Sequence, residues 1–151
     1  MEDLETNVRL HPADPRLKAN CRRWIKFIDG EIVPGFYAVL AVTEGATENP
    51  AMDKLQRDIT SLVRAADDKG PYFLGEHMCL VDVHLAPFAL RMSRILQPLG
   101  RWKMPEPESR WQAWVDAMES NVHVRDTVSA NSLYVETVEM LVKVRQAQVW
   151  D

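Results

Sequence analysis

Apolar residues recur every three or four positions along every long segment of this chain, and no segment alternates convincingly between apolar and polar residues. That spacing places the apolar side chains on one face of an α-helix and is not the pattern of a half-buried β-strand. With 151 residues, the chain has the size of one ordinary domain and can bury a sizeable core. We therefore predict an all-α bundle of five or six helices.

Two helix starts are marked by an acceptor side chain followed by proline. Asp14 precedes Pro15 at the first helix, whose apolar stripe contains Pro34 and runs to Leu40. Proline removes one backbone hydrogen bond, so we expect one kinked helix there and not two separate helices. The second start is at residues 49–50, and we expect that helix to end near residues 69–71, where lysine, glycine and proline follow one another.

The third predicted helix, at about residues 79–96, is apolar on nearly all sides, which is typical of a central helix covered by its neighbours. A fourth helix is expected from near Pro107 and a last one from about Asn131, with Leu133, Val138, Leu141 and Val144 facing inward. We assign residues 1–13 to a tail or linker and residues 14–148 to one helical domain.

The composition argues against several classes of protein. Eighteen Lys and Arg residues against 22 Asp and Glu residues give a net charge of −4, which argues against a general phosphate-backbone binder. The N-terminus has neither the basic nor the apolar part of a secretory signal, and no apolar stretch is long enough to cross a bilayer. With only two cysteines as well, we expect a cytoplasmic protein that binds neither nucleic acid nor a membrane.

Several stretches resemble the C-terminal all-helical domain of the glutathione transferase superfamily, most closely its omega-type, fungal and bacterial members. The most specific are Gly-Pro-Tyr-Phe-Leu-Gly-Glu at 70–76 and Leu-Val-Asp-Val-His-Leu-Ala-Pro-Phe at 80–88. The other similar stretches are residues 10–15, 24–29, 32–37, 110–114 and 127–134. The resemblance covers about residues 10 to 142 and implies the fold of that domain, including a proline-kinked first helix.

Asp82 lies in the most specific stretch. Family members usually place Ser or Thr three residues before this aspartate, and the two side chains close a capping box at the start of the buried helix. Here that position is Cys79, a poorer acceptor. We expect Asp82 to be a buried element of the fold, hydrogen-bonded to backbone N–H groups at the helix start, and not a catalytic acid.

The resemblance also implies how glutathione would be bound. In full-length members, glutathione binds mainly to an N-terminal thioredoxin-like domain, whereas the helical domain supplies the pocket for the hydrophobic co-substrate. No βαβ pattern precedes residue 10 in this sequence. We therefore expect no cofactor, with glutathione possible although its main binding domain is not recognisable, and we expect the pocket to lie between the first and third helices.

Candidate site residues follow from that pocket. Tyr37 is the best donor for a bound polar group, because a buried hydroxyl needs a partner, and we assign it a catalytic role. Trp24 and Phe27 on the same helix are candidates for substrate binding. The alternative for all three is an aromatic stripe that belongs to the core.

A second set of candidates lies on the third helix. His84, with a catalytic role in proton transfer, and Arg91, with a role in substrate binding, could form a polar stripe together with Arg94. The alternative interpretation is a hydrogen-bonded core histidine and two arginines that reach solvent.

Cysteine nucleophiles and metal ligands are not indicated. Cys21 and Cys79 lie on predicted apolar helix faces, where thiols are inert, and neither has a histidine close enough in sequence to argue activation. His11, His77 and His123 lack metal-ligand spacing, so we predict no metal.

Three functional hypotheses remain. The first is a protein that binds a hydrophobic small molecule and could transform it, as an isomerase, cyclase, dehydratase or transferase-like enzyme. The second is an interaction module, with a homodimer through the first two helices as its simplest partner. The third is the excised C-terminal domain of an ordinary glutathione transferase.

Overall fold

Six α-helices and two π-helical segments make up the regular structure of the computed structural model, which describes residues 10–42, 49–103, 106, 108–128, 134, 136, 139 and 140. The α-helices are α1 (Pro15–Phe27), α2 (Val33–Leu40), α3 (Pro50–Ala65), α4 (Leu80–Arg91), α5 (Arg110–Ser120) and α6 (Val122–Arg125); the π-helical segments are Ile28–Ile32 and Met92–Leu96. The predicted all-α class is confirmed. No helix in the described ranges has the length and apolar character that a membrane span requires.

The first helix continues across Pro34, as predicted. α1 passes into α2 through the π-helical segment Ile28–Ile32, where the N–H of Val33 donates to the carbonyl of Ile28, five residues earlier. This wider turn lies directly before Pro34, whose ring has no N–H to donate and crowds the preceding turn. The π-helical segment therefore absorbs the proline without breaking the helix.

The second predicted helix, which is α3, begins where it was predicted to begin but ends earlier. The side chain of Asn49 accepts a backbone N–H at 2.8 Å and caps α3. α3 ends at Ala65, so the prediction of an end near residues 69–71 is wrong. The reason is Asp67, whose carboxylate accepts the N–H groups of Lys69 at 2.8 Å and Gly70 at 2.7 Å, which folds the chain into a turn before those residues.

The connection from α3 to α4 is a tight turn. The N–H of Tyr72 donates to the carbonyl of Gly75 at 3.0 Å, and the N–H of Gly75 donates back to Tyr72 at 3.2 Å. A Cβ atom on Gly70 would lie 2.1 Å from the Cα of Gly75. Only glycine therefore fits at position 70.

α4 is the central helix, as predicted for residues 79–96, and the second π-helical segment, Met92–Leu96, continues it. The hydrophobic core surrounds it with side chains from most of the other helices. The largest fully buried side chains of this core are Ile28, Ile32, Phe36, Leu55, Ile59, Leu62, Phe73, Leu85, Leu90, Met92, Leu96 and Trp114.

Asp82 holds the start of this helix. Its side chain is fully buried, and Oδ2 accepts the N–H of Cys79 at 2.7 Å. Oδ1 accepts the N–H of Phe73 at 2.8 Å and the indole Nε1–H of Trp114 at 2.7 Å. The predicted structural role of Asp82 is confirmed, and it extends beyond the helix cap to the preceding turn and to α5.

A second polar contact ties α5 to the same turn. The Nε, Nη1 and Nη2 atoms of Arg110 donate to the carbonyls of Asp67, Pro71 and Tyr72 at 2.8, 3.0 and 2.8 Å. Every nitrogen of this guanidinium is therefore engaged with backbone.

The last part of the chain is described in part. α5 begins at Arg110 with Ser109 as its cap, slightly later than the predicted start near Pro107. Tyr134, Glu136, Glu139 and Met140 have helical backbone, in agreement with a last helix from about Asn131. Its predicted inward residues Leu133, Val138, Leu141 and Val144 lie outside the described residues.

Candidate functional site

Three of the five predicted site residues come together between α2 and α4. His84, Phe88 and Arg91 are spaced by four and three residues, so they share one face of α4. The ring of Tyr37, on α2, lies 6.4 Å from the ring of Phe88, and the Cζ atom of Arg91 lies 5.6 Å above the same ring. We call Tyr37, His84, Phe88 and Arg91 the α2–α4 surface.

The aromatic part of this surface is anchored in the core. Phe36 is buried, and its ring contacts Phe88 at 5.8 Å and Tyr37 at 5.4 Å, both edge to face. Such pairs hold each ring in a defined orientation. Phe88 and Tyr37 therefore form a preformed aromatic surface, which we call the aromatic floor.

The hydroxyl of Tyr37 has no hydrogen-bond partner among the described residues. Its side chain is 48% exposed. The tyrosine hydroxyl hydrogen bonds within the described ranges involve Tyr72, which contacts Ala117 and Asn121, and not Tyr37. The hydroxyl is therefore accessible to a bound polar group.

His84 is not a core histidine. Its side chain is partly exposed, and Nδ1 lies 3.5 Å from Oδ1 of Asp29, an exposed residue of the first π-helical segment. This distance permits an ion pair when the imidazole is protonated, but it is too long for a good hydrogen bond. The imidazole is therefore accessible to solvent and to a molecule on the α2–α4 surface.

The three residues of the predicted polar stripe, His84, Arg91 and Arg94, do not all face one surface. Arg91 stays on the α2–α4 surface, where Nη1 makes one long contact of 3.4 Å with the carbonyl of Pro87. Arg94 contacts Glu119 at 3.5 Å and lies 5.7 Å above the ring of Tyr134. Only His84 and Arg91 therefore face the same region.

Trp24 and Phe27 lie elsewhere. Their rings contact each other at 5.1 Å, and Trp24 packs against Phe73 in the connection before α4. Trp24 is 13 residues before Tyr37, which corresponds to about 20 Å along a helix. Both residues pack against the core, which favours the alternative interpretation of an aromatic core stripe.

The two cysteines are buried and free. Burial raises the pKa of the Cys21 thiol and of the Cys79 thiol, and the charge of Asp82 adds to the effect at both. Neither thiol has the electropositive, accessible setting of a nucleophile. Within the described ranges, no group of three or more His, Cys, Asp or Glu side chains could hold a metal ion.

A cleft of about 460 Å³ was not predicted. It lies between α3 and the residues that lead into α5, and not between the first and third predicted helices, which are α1–α2 and α4. Its walls include Ile59, Val63, Trp102, Lys103 and Trp111. The two indole rings lie 6.4 Å apart, and their Nε1 atoms are buried with no acceptor among the described residues. Most of the cleft surface is apolar, although polar side chains also line it, and two of these, Ser109 and Arg110, are engaged in backbone contacts.

Phe88 is the functional candidate that sequence reasoning missed. The signal was present, because Phe88 lies four residues after His84 and three before Arg91 and so must share their helix face.

Comparison with solved structures identifies the fold. The chain is similar to glutathione transferase Omega 3C from Trametes versicolor, at 27% identity and a TM-score of 0.74, over 91% of this chain and 57% of that one. It is also similar to the Tau class glutathione S-transferase of mango, Mangifera indica, at 19% identity and a TM-score of 0.71, over 87% of this chain and 61% of that one. A trimeric glutathione transferase from Leishmania matches at 17% identity and a TM-score of 0.69, over 87% of this chain and 30% of that one.

No protein-family model matches the chain, and no curated protein sequence matches it. The chain spans 61% or less of the length of each of these three structures. The structural matches confirm a glutathione-transferase C-terminal-like helical fold.

Proposed function

With the glutathione-transferase C-terminal-like fold as the premise, we propose that this protein binds a hydrophobic small molecule on the α2–α4 surface. The observation that carries the proposal is the aromatic floor of the exposed Tyr37 and the half-buried Phe88, held in place by the buried ring of Phe36. Small-molecule sites are lined mainly by apolar and aromatic side chains with a few polar groups that fix the orientation of the ligand, and this surface has that mixture of side chains.

The polar groups suggest what could happen to a bound molecule. The Tyr37 hydroxyl can donate a hydrogen bond, and His84, beside Asp29, can take up or release a proton. An isomerase or dehydratase needs such a proton transfer on a substrate held in one orientation. This function uses residues of the helical domain alone and does not require glutathione.

A neutral fluorescent arene tests binding. N-phenyl-1-naphthylamine, titrated into the protein, should give saturable fluorescence enhancement and raise the thermal midpoint. Tyr37→Ala should weaken binding about fivefold, since it removes half of the aromatic floor. Val122→Ala, on α6 and 47% exposed, is the matched control and should leave the Kd unchanged.

Two results would overturn the proposal. The first is a wild-type protein that shows neither saturable enhancement nor a thermal shift with this probe. The second is equal affinity of wild type and Tyr37→Ala.

We also propose that the protein is a cytoplasmic homodimer that pairs through its first two predicted helices, α1 to α3. Leu17 on α1 supports such a contact, because it is a large apolar side chain that is 43% exposed. The two buried free thiols fit a reducing compartment. Light scattering at micromolar concentration should give about twice the 17.3 kDa of one chain, and a monomeric mass would contradict the homodimer.

A further inference from the structure

The cleft between α3 and the residues that lead into α5 is separate from the α2–α4 surface and takes no part in the proposed function. We call it the α3–α5 cleft. Its wall on α3 is formed by Gln56, Ile59, Thr60 and Val63. These residues stand at positions i, i+3, i+4 and i+7, so they form one continuous stripe along the helix. The cleft is therefore an elongated groove beside a helix.

The opposite wall carries two tryptophans whose indole N–H groups lack acceptors. Trp102 and Trp111 are only 6% and 7% exposed, and Nε1 of each has no hydrogen-bond partner among the described residues. A buried donor without a partner destabilises a structure, and most buried donors in folded proteins are paired. The two indoles therefore favour a ligand that brings hydrogen-bond acceptors.

The charges around the cleft balance. Lys103 and Glu106 are exposed, line the cleft and carry opposite charges. Arg110 also lines it, but every nitrogen of its guanidinium is engaged with backbone carbonyls. An anion or a cation would meet one repulsive and one attractive group at the rim, so the complementary ligand is uncharged.

Proline-rich chains offer acceptors without donors. The proline nitrogen carries no N–H, and a polyproline II helix has no internal hydrogen bonds, so its carbonyls are available as acceptors. Two residues of this helix span about 6 Å along its axis. The ring centroids of Trp102 and Trp111 lie 6.4 Å apart, which is close to that distance. Aromatic-lined grooves bind such chains because their conformation is already extended.

We propose that the α3–α5 cleft binds an uncharged proline-rich segment of a partner protein in the polyproline II conformation. Proline rings of the segment pack against the indoles of Trp102 and Trp111, and its carbonyls accept the two indole N–H groups. This interaction uses a different surface from the proposed function, so its test does not depend on that function.

An uncharged peptide tests the proposal. Acetyl-decaproline amide is the probe, and an acetylated, amidated decapeptide of alternating glycine and serine is its control. Isothermal titration calorimetry should show saturable binding of decaproline and at least about tenfold weaker binding of the flexible control peptide. In a nitrogen–proton correlation spectrum, the indole proton signals of Trp102 and Trp111 should shift downfield, because each N–H then donates a hydrogen bond.

Thr60→Arg and Ser61→Arg are a matched pair on one turn of α3. The two hydroxyls each donate to the carbonyl four residues earlier, at 2.7 and 2.9 Å, but of the two residues only Thr60 lines the cleft. Thr60→Arg should weaken decaproline binding about tenfold, because the larger charged side chain occupies the cleft, whereas Ser61→Arg should leave the Kd unchanged. Trp102→Phe keeps an aromatic ring but removes one donor and should weaken binding about fivefold.

Several results would overturn the proposal. They are the absence of decaproline binding, equal Kd values for the two peptides, and equal weakening by Thr60→Arg and Ser61→Arg. Indole signals of Trp102 and Trp111 that stay in place while decaproline binds would put the peptide elsewhere on the protein. Displacement of N-phenyl-1-naphthylamine by decaproline would mean that both occupy one site, which contradicts a separate site for the peptide.

Discussion

Oδ1 of Asp82 lies 2.7 Å from the indole Nε1 of Trp114, and this contact joins the first turn of α4 to α5. The same carboxylate accepts the N–H groups of Phe73 and Cys79. One fully buried acid therefore satisfies three donors from three separate segments. It also fixes the start of the helix that carries His84, Phe88 and Arg91.

Asp82→Ala should destabilise the protein by about 3 kcal/mol or more, because each buried donor left without an acceptor costs about 1–3 kcal/mol. Trp114→Phe removes one of the three donors and should cost less. Urea unfolding measures both changes. Asp116→Ala, at an exposed position where the carboxylate accepts from Gln112 one turn away, should change stability by less than about 0.5 kcal/mol. Unchanged stability in Asp82→Ala would refute the assigned role.

Gly70→Ala should lower the stability of the fold, whereas Gly30→Ala should not. At position 70 the new methyl group would lie 2.1 Å from the Cα of Gly75, so the backbone must move and unfolding should occur at a clearly lower urea concentration. At position 30, in the first π-helical segment, nothing lies within 4 Å. Alanine there should be neutral or stabilise by up to about 1 kcal/mol, because it restricts the unfolded chain. Similar midpoints for the two variants would contradict this account.

Asp67 should make stability depend on pH in acid. The N–H groups of Gly70 and Lys69 donate to its carboxylate and hold its pKa below the ordinary value. Because the folded-state pKa is the lower one, this interaction stabilises the fold above the ordinary carboxyl pKa and is lost as the pH falls through the folded-state value.

Asp67→Asn removes that titration while keeping an acceptor, so the decline of the unfolding midpoint in acid should become shallower. Asp68→Asn, at the exposed neighbouring position, is the control and should decline like wild type. An unaltered decline in Asp67→Asn would exclude this source of acid sensitivity.

Both thiols should resist alkylation in the folded protein. Burial raises the pKa of Cys21 and Cys79, which lowers the thiolate fraction and blocks access to reagent. Iodoacetamide labelling followed by mass spectrometry should be at least about 100-fold slower in buffer than in urea. Rapid labelling of either cysteine in buffer would mean that it lies in an open, activated environment.

Local signals in the sequence predicted the local structure. The cap at Asn49 and the helix that continues across Pro34 each depend on residues within a few positions, so the sequence itself indicates them. The end of α3 was misplaced because Asp67 ends the helix through its own turn before the lysine and glycine that signal a helix end.

Contacts between distant segments were not predictable from spacing. Asp82 was expected to be buried, but its bond to Trp114, 32 residues away, depends on how α4 and α5 pack. Tyr37 and Arg91 were proposed separately, and only the packing of α2 on α4 places both against Phe88. The same limit applies to the cleft between Ile59 and Trp111, whose walls come from distant parts of the chain.

The central claim concerns where an apolar molecule binds. A nitrogen–proton correlation spectrum, recorded during titration with 1-anilinonaphthalene-8-sulfonate, tests it directly through every backbone amide and the five indole N–H signals. We predict that shifts concentrate at the amides of Tyr37, His84, Phe88 and Arg91, with the indole signals of Trp102 and Trp111 unmoved. Shifts confined to those two indoles and to the α3 amides around Ile59 would place the ligand in the other cleft and contradict the account.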